Sequence, residues 1–216
     1  MKEQEGVIKY QLKHEQKLIN ERFSFTEINA WRTIIFRLGL IGQDRERYDN
    51  LGFGNISQRL NSKSSEFIIS GTQTGQLEQL SPDHYCLVVN ADPRKNRIQS
   101  CGLRKPSSES LTHASIYDQD SSIQAVIHVH SPEIWSHTAT LNLPHISADV
   151  PYGTVAMARA VERLFQSGSL KQTSLFTMLG HEDGVIAFGG NMREAAWELI
   201  KVLSLAVGIE QQRVAG

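Results

Sequence analysis

Residues 123–132 read Ile123-Gln124-Ala125-Val126-Ile127-His128-Val129-His130-Ser131-Pro132. The apolar run up to His130 predicts a strand, and Pro132 predicts the first turn of a helix, where its missing N–H is no loss. Side chains two apart on a strand share a face. His128 and His130 therefore present two imidazoles towards one point. Such a pair is half of a site for zinc or a similar divalent ion. The alternative is two histidines at a strand end, each hydrogen-bonded locally.

Helices and strands interleave on both sides of this run. Ser24 and Glu27 have capping-box spacing, and Ile28, Trp31, Ile34, Ile35 and Leu38 follow at helical intervals until Gly39. Strands are predicted after Gly52 and over residues 67–69, 85–89, 174–179 and 184–188. Ser107 or Ser108 can cap a helix running to about Gln119. Further helices fit residues 154–166 and 192–211, the last burying Ala195, Ala196, Leu199, Leu203 and Val207. Residues 1–22 read as a polar arm or frayed helix, ahead of a single domain over 23–216. The pattern is α/β or α+β, and the spacing leaves strand order open.

Composition narrows the function. The 216 residues suffice for one sizeable core. Twenty-two basic and 23 acidic side chains give a net charge of −1, which argues against a general nucleic-acid or acidic-membrane partner. No apolar run approaches the roughly 20 residues that span a bilayer. The N-terminus carries no signal-peptide core, so a cytoplasmic location is expected. Cys86 and Cys101 are the only cysteines, too few for a disulfide framework or a four-cysteine metal site. Any metal must therefore be held by histidine and carboxylate.

Three other segments carry candidate chemistry. Lys105-Pro106-Ser107-Ser108-Glu109 offers hydroxyls and free N–H groups at a helix start, which favours an anion. Glu109 there is an acid/base candidate or a plain dipole-compensating residue, and His113 one turn on reads as a hydrogen-bonded packing residue. The small-residue loops at 52–57 and 71–75 allow close approach of backbone amides to phosphate, or are simply turns. Neither has P-loop or dinucleotide spacing. Gly180-His181-Glu182-Asp183-Gly184 lies between two predicted strands. It offers a further metal ligand or forms a solvated hairpin.

In this order, these segments resemble the class II aldolase/adducin family. The resemblance rests on Gly54-Asn55-Ile56-Ser57, Thr72-Gln73-Thr74-Gly75, Ser107-Ser108-Glu109 with His113, Ile116 and Tyr117, His128-Val129-His130-Ser131, and Pro151-Tyr152-Gly153-Thr154. It runs from about Phe25 to Val207. It implies a three-layer α/β/α domain around a mixed, largely antiparallel sheet. It also implies a divalent metal, usually zinc (Zn), with His128 and His130 as two ligands and Glu109 as acid/base. Gly54, Asn55, Thr74, Gly75, Ser107 and Ser108 would line the anionic end of a substrate. Members are commonly homo-oligomers, tetramers among them, with sites near subunit interfaces.

The chain departs from the family pattern in three places. The third metal histidine usually precedes a glycine directly, but this chain has His181-Glu182-Asp183-Gly184. Counting back from Gly189 puts Asp183 in the ligand position, while His181 matches the first two ligands in kind. The connection over 141–150 is shorter than in the sugar-phosphate aldolases, and Gly52 stands where phosphate-binding members often carry a hydroxyl.

The implied function is a metal-dependent, aldolase-type lyase in carbohydrate metabolism. Its substrate would be a small hydroxylated keto, aldol or sugar-phosphate-like molecule, handled through a metal-stabilised enediolate. The alternatives are a non-catalytic adducin-like interaction domain, a silent anion binder, or an epimerase, dehydratase or decarboxylase of the same family.

Overall fold

The computed structural model describes residues 6–19 and 23–215. A nine-stranded sheet divides the molecule. In chain order its strands are β1 (Gln11–Gln16), β4 (Asn55–Arg59), β5 (Phe67–Ser70), β6 (Tyr85–Asp92), β7 (Arg97–Gly102), β8 (Ala125–His130), β9 (His145–Ile146), β10 (Leu175–Met178) and β11 (Gly184–Gly189). In space the order is β1-β7-β6-β5-β4-β8-β11-β10-β9. All neighbours are antiparallel except β1 with β7 and β10 with β9. The short strands β2 (Gly42–Gln43) and β3 (Gly52–Phe53) pair separately as a hairpin.

Alternation along the strands builds two cores. Val126 of β8, Ile186 and Phe188 of β11, and Phe176 and Met178 of β10 face one side. There they meet α2 (Ser110–Tyr117) and α4 (Val155–Gln166) through Leu111, Ile116, Met157 and Val161. Ala125, Ile127 and Val129 face the other side, towards α1 (Thr26–Arg37), α3 (Pro132–Ser136) and α5 (Met192–Ala215). The architecture is thus the expected α/β/α sandwich on a mixed, mostly antiparallel sheet. Two helices start on hydroxyl caps: Ser131 accepts from the N–H of Ile134, and Thr154 from that of Met157. Each such cap is worth about 1 kcal/mol.

Several local expectations are corrected. Residues 11–16, read as a polar arm or frayed helix, form strand β1 at the sheet edge, and Tyr10 just before it is buried. An edge strand with charged flanks carries no apolar alternation to read. Residues 1–5 and 20–22 of that arm lie outside the described residues. Strand β7 was not anticipated either, because Arg97 and Gln99 alternate with a buried serine as well as an isoleucine. The capping box of Ser24 and Glu27 is not formed; α1 starts at Thr26 after Phe25, with no side-chain cap. Likewise Ser107 and Ser108 precede an N-cap at Glu109. On α1, Ile34 and Leu38 are exposed, while Arg32 is buried between Ile28 and Ile35. On α5, Val207 is exposed and Leu203 only partly covered, whereas Met192, Val202 and Ala206 complete the buried face.

Candidate metal centre and its surrounding loops

The sheet register assembles the centre. His128 and His130 lie on the face of β8 that looks towards α2 and α4, because Ala125, Ile127 and Val129 take the other face. In the antiparallel pairing, Gly184 of β11 sits opposite His130. A side chain there has no room: a Cβ on Gly184 would lie 2.7 Å from Cδ2 of His181. The missing side chain lets the turn 180–184 fold the His181 ring back over the strand end. Backbone bonds from His181 N–H to Met178 O (3.0 Å) and from Gly184 N–H to His181 O (2.9 Å) close that turn.

The ligand atoms of His128, His130 and His181 come within 4.8 Å of one another, and all three residues are buried. Nε2 of His130 and Nε2 of His181 are 2.9 Å apart. In a tetrahedral zinc shell, with Zn–N near 2.0–2.1 Å, ligand nitrogens are about 3.3 Å apart. Two neutral imidazoles meeting Nε2 to Nε2 at 2.9 Å need a proton or a cation between them. His128 donates from Nδ1 to the carbonyl of Val185 at 3.2 Å. A carbonyl only accepts, so the His128 proton in this bond sits on Nδ1, which fixes the orientation of the ring in the three-histidine cluster. Three histidines leave a fourth position for water or substrate, the pattern of catalytic zinc sites. The residues present thus fit a divalent metal.

Asp183 goes elsewhere. Its backbone is left-handed (φ 61°), and its carboxylate accepts the Tyr48 hydroxyl at 2.5 Å. It is not among the clustered ligand atoms. The structure thus gathers His181, and not Asp183, with the strand histidines.

Burial also sets charge. Burial, then His181 and His128, holds His130 well below its ordinary pKa. Burial, with His128 beside it, does the same to His113. Both rings are neutral at pH 7, as ligation requires for His130. In an unfolded chain each protonates near pH 6.5. Below that pH the unfolded state binds more protons than the folded one, so stability falls as pH falls. For metal-free protein we expect a loss of about 1.4 kcal/mol per pH unit for each such histidine below pH 6.5. Urea unfolding of chelator-treated protein at pH 7.0, 6.0 and 5.5 checks this; a flat profile contradicts it.

His113 is fully buried, and its Nδ1 lies 2.7 Å from the Ser57 hydroxyl. That hydroxyl is also 2.7 Å from the Tyr117 hydroxyl. This is the hydrogen-bonded packing role expected for His113.

The anion-site candidates converge from three loops. Gly54 has φ 74°, and a Cβ on it would lie 2.7 Å from Ile41 Cγ1 and 3.2 Å from the His128 carbonyl oxygen. Only glycine lets this backbone approach β8 so closely. Asn55, the next residue, sits opposite His128 in the sheet and is buried. The 71–75 loop is joined to the 105–108 turn by the Gly71–Pro106 bridge and by Thr72 N–H donating to Lys105 O at 3.0 Å. Gly75 is wedged against the hairpin, where a Cβ would come within 2.4 Å of the Gly42 oxygen. The Thr74 hydroxyl is already committed to the Gly71 carbonyl at 2.8 Å. The Ser107 hydroxyl accepts from Glu109 N–H at 3.3 Å, and Ser108 is buried beside it. Glu109 is fully buried at the start of α2.

Several contributors were not anticipated. Arg32 donates to the carbonyls of Thr74, Gly75, Leu77 and Glu78 and so shapes the 71–78 loop. Tyr48 packs edge-on against His130 at 4.5 Å between ring centroids. From the N-terminal segment, the Tyr10 hydroxyl donates to Ser107 O at 2.8 Å, and Lys9 lies over the ring of Tyr152. That ring in turn meets His181 edge-on at 4.6 Å. The only advance signal was for Arg32, which falls four residues after Ile28 on the buried face. The others are distant in sequence from the residues they touch.

Residues 42–207 match the profile of the Class II Aldolase and Adducin N-terminal domain. The chain belongs to this family. Over 95 residues it is 35% identical to a methylthioribulose-1-phosphate dehydratase from Alcanivorax borkumensis, a match covering 44% of this chain and 38% of that protein. Among solved structures it is similar to l-fuculose-1-phosphate aldolase from Thermus thermophilus, with TM-score 0.64, 18% identity, and 88% and 94% of the two chains covered. It is similar also to a sugar-phosphate aldolase from Thermotoga maritima, with TM-score 0.64, 17% identity and the same coverage. At these identities the two structures speak for the fold. No helix among the described residues is long and apolar enough to cross a membrane.

Proposed function

We propose that this protein is a metal-dependent lyase acting on a small hydroxylated ketone or aldol, carried as a sugar phosphate or similar anion. The convergence of His128, His130 and His181 as buried imidazoles carries this reading. A divalent cation held by them, zinc as the first choice, supplies Lewis-acid stabilisation of the enediolate charge that builds as a C–C or C–H bond beside a carbonyl breaks. Glu109 takes the role of proton carrier. Ser107 and Ser108 at the start of α2, with Gly54, Asn55, Thr74 and Gly75, hold the anionic end away from the reacting carbon and fix its orientation. Thr74 serves through its backbone, since its hydroxyl is committed within the loop.

A second reading within the same chemistry is a dehydratase, favoured by the 35% identity to a dehydratase over 95 residues. The two reactions break different bonds beside the carbonyl. A dehydratase removes the α C–H proton and expels the β-hydroxyl as water. Retro-aldol cleavage removes the β-hydroxyl proton, breaks the Cα–Cβ bond and releases an aldehyde. In both, the electron pair is left next to the carbonyl. The non-catalytic, adducin-like reading gives no reason to bury three imidazoles together. A homo-oligomer, tetrameric as is common in the family, and a cytoplasmic location complete the proposal.

Elemental mass spectrometry of untagged protein tests it. We expect about one zinc-like ion per chain, lost in His128→Ala and His181→Ala and still bound, though more easily stripped, in Asp183→Ala. Wild-type protein that refuses added zinc, manganese and cobalt would sink the lyase reading. Aldehyde release and water loss from phosphorylated ketoses then separate aldolase from dehydratase.

A further inference from the structure

We infer that Tyr48 and Asp183 form a latch that positions the histidine triad. This rests on the reading of the triad as a metal centre. The hairpin of β2 and β3 carries an eight-residue loop, and its base is tied by Gln43 Nε2 donating to Asn50 O at 2.6 Å. In its second half, just before β3, Tyr48, Asp49 and Asn50 have φ of 54°, 55° and 58°. Asp183, in the turn that carries His181, has φ 61°. Non-glycine residues rarely enter this left-handed region, and three in succession are held there only when their surroundings over-determine them. The strained loop segment and the strained turn meet in one bond, the Tyr48 hydroxyl to Asp183 at 2.5 Å. Arg47 adds a longer contact to the same oxygen at 3.9 Å.

The geometry gives this bond a task. The Tyr48 ring stands edge-on to His130, 4.5 Å between centroids and 79° between planes, and is backed by Phe53 at 5.0 Å. Tyr48 therefore touches one strand histidine while gripping the turn of the third. The latch clamps the His181 turn against β8 and sets the His130 ring plane. Tyr48 and Asp183 are positioning residues: they act on the metal through His130 and His181, and groups of this kind typically change metal affinity 10–100-fold.

Full-length protein loaded with cobalt(II) provides the test. Tyr48→Phe keeps the ring and removes the hydroxyl; Asp183→Asn keeps the shape and removes the charge. In each, EDTA should strip cobalt about tenfold faster than from wild type. The visible ligand-field bands should shift, and the melting temperature of the metal-free protein should stay within a few degrees. The double variant should match the single ones, since one bond is lost either way. Stripping of Tyr48→Phe at the wild-type rate overturns the latch, as do effects that multiply in the double variant. A large drop in the metal-free melting temperature also overturns it, by making the pair merely structural. Wild-type protein that takes up no cobalt overturns both the latch and the metal reading beneath it.

Discussion

Glu109→Gln should lower kcat by about 10²–10⁴ while leaving the metal content of the protein at the wild-type level. The substitution keeps the shape of the side chain and removes its ability to take up a proton. Glu109 is fully buried where α2 begins, beside the two serines that approach the 71–75 loop. A carboxylate in that place serves either proton transfer or plain helix-dipole compensation. Only the first makes it indispensable to turnover. The measurement is steady-state kinetics on a phosphorylated ketose, alongside metal analysis of the same preparation. Full activity with bound metal would remove Glu109 from the chemistry. Loss of both activity and metal would instead mark it as part of the metal centre.

Arg32→Met should cost about 2–6 kcal/mol of stability, from two stranded carbonyls at about 1–3 kcal/mol each, a large share of the 5–15 kcal/mol typical of a domain. The Arg32 side chain is buried within α1, and burial brings its pKa down to about 10, so it remains a cation at neutral pH. Its two terminal nitrogens serve four carbonyls: Glu78 at 2.7 Å, Thr74 at 3.0 Å, Gly75 at 3.1 Å, and Leu77. Methionine fills the space of the stem and removes the donor from the Gly75 and Leu77 oxygens, whereas the Thr74 oxygen keeps the Leu77 N–H at 3.2 Å and the Glu78 oxygen keeps the Thr33 hydroxyl at 3.4 Å. Each unsatisfied buried acceptor costs about 1–3 kcal/mol, reduced where water reaches it. Lysine, with one nitrogen in place of a fork, should recover only part of the loss. Urea unfolding of wild type, Arg32→Lys and Arg32→Met measures the series. Because the same carbonyls shape the 71–78 loop, KM for an anionic substrate should rise in Arg32→Lys more than kcat falls. An Arg32→Met protein as stable as wild type would show that the loop holds its own shape.

Much of the fold was legible because its signals are local. β8, β10 and β11 announce themselves as apolar runs, and α4 as an amphipathic helix opened by a threonine cap. The expectation failed where burial is decided from outside the element. Ile34 and Leu38 suit the inner face of α1 by polarity alone, but the helix is rotated to place Arg32 over the 71–78 carbonyls. β1 has the composition of a solvated arm and becomes a strand only because β7 offers it a free edge. Tyr48 carries no sequence signal, since its partner Asp183 lies 135 positions away.

By itself, the sequence determined the class of architecture, the family, and the first two imidazoles of the candidate centre. His128 and His130 share a face by the pleat of a single strand, which needs no knowledge of the rest of the chain. It also determined that any metal must be held without a four-cysteine set, since the chain has only two cysteines. The third imidazole was a matter for tertiary structure. His181 and Asp183 are both plausible by spacing and chemistry, and a count along the chain favours the aspartate. The register of β8 against β11 sets Gly184 opposite His130, where a Cβ would meet the His181 ring, and so brings His181 to the strand histidines. With His181 there, the left-handed turn at Asp183 sends its carboxylate to Tyr48. A ligand set is a meeting of segments at one point in space, and the packing of a strand against its neighbour decides which side chain arrives there.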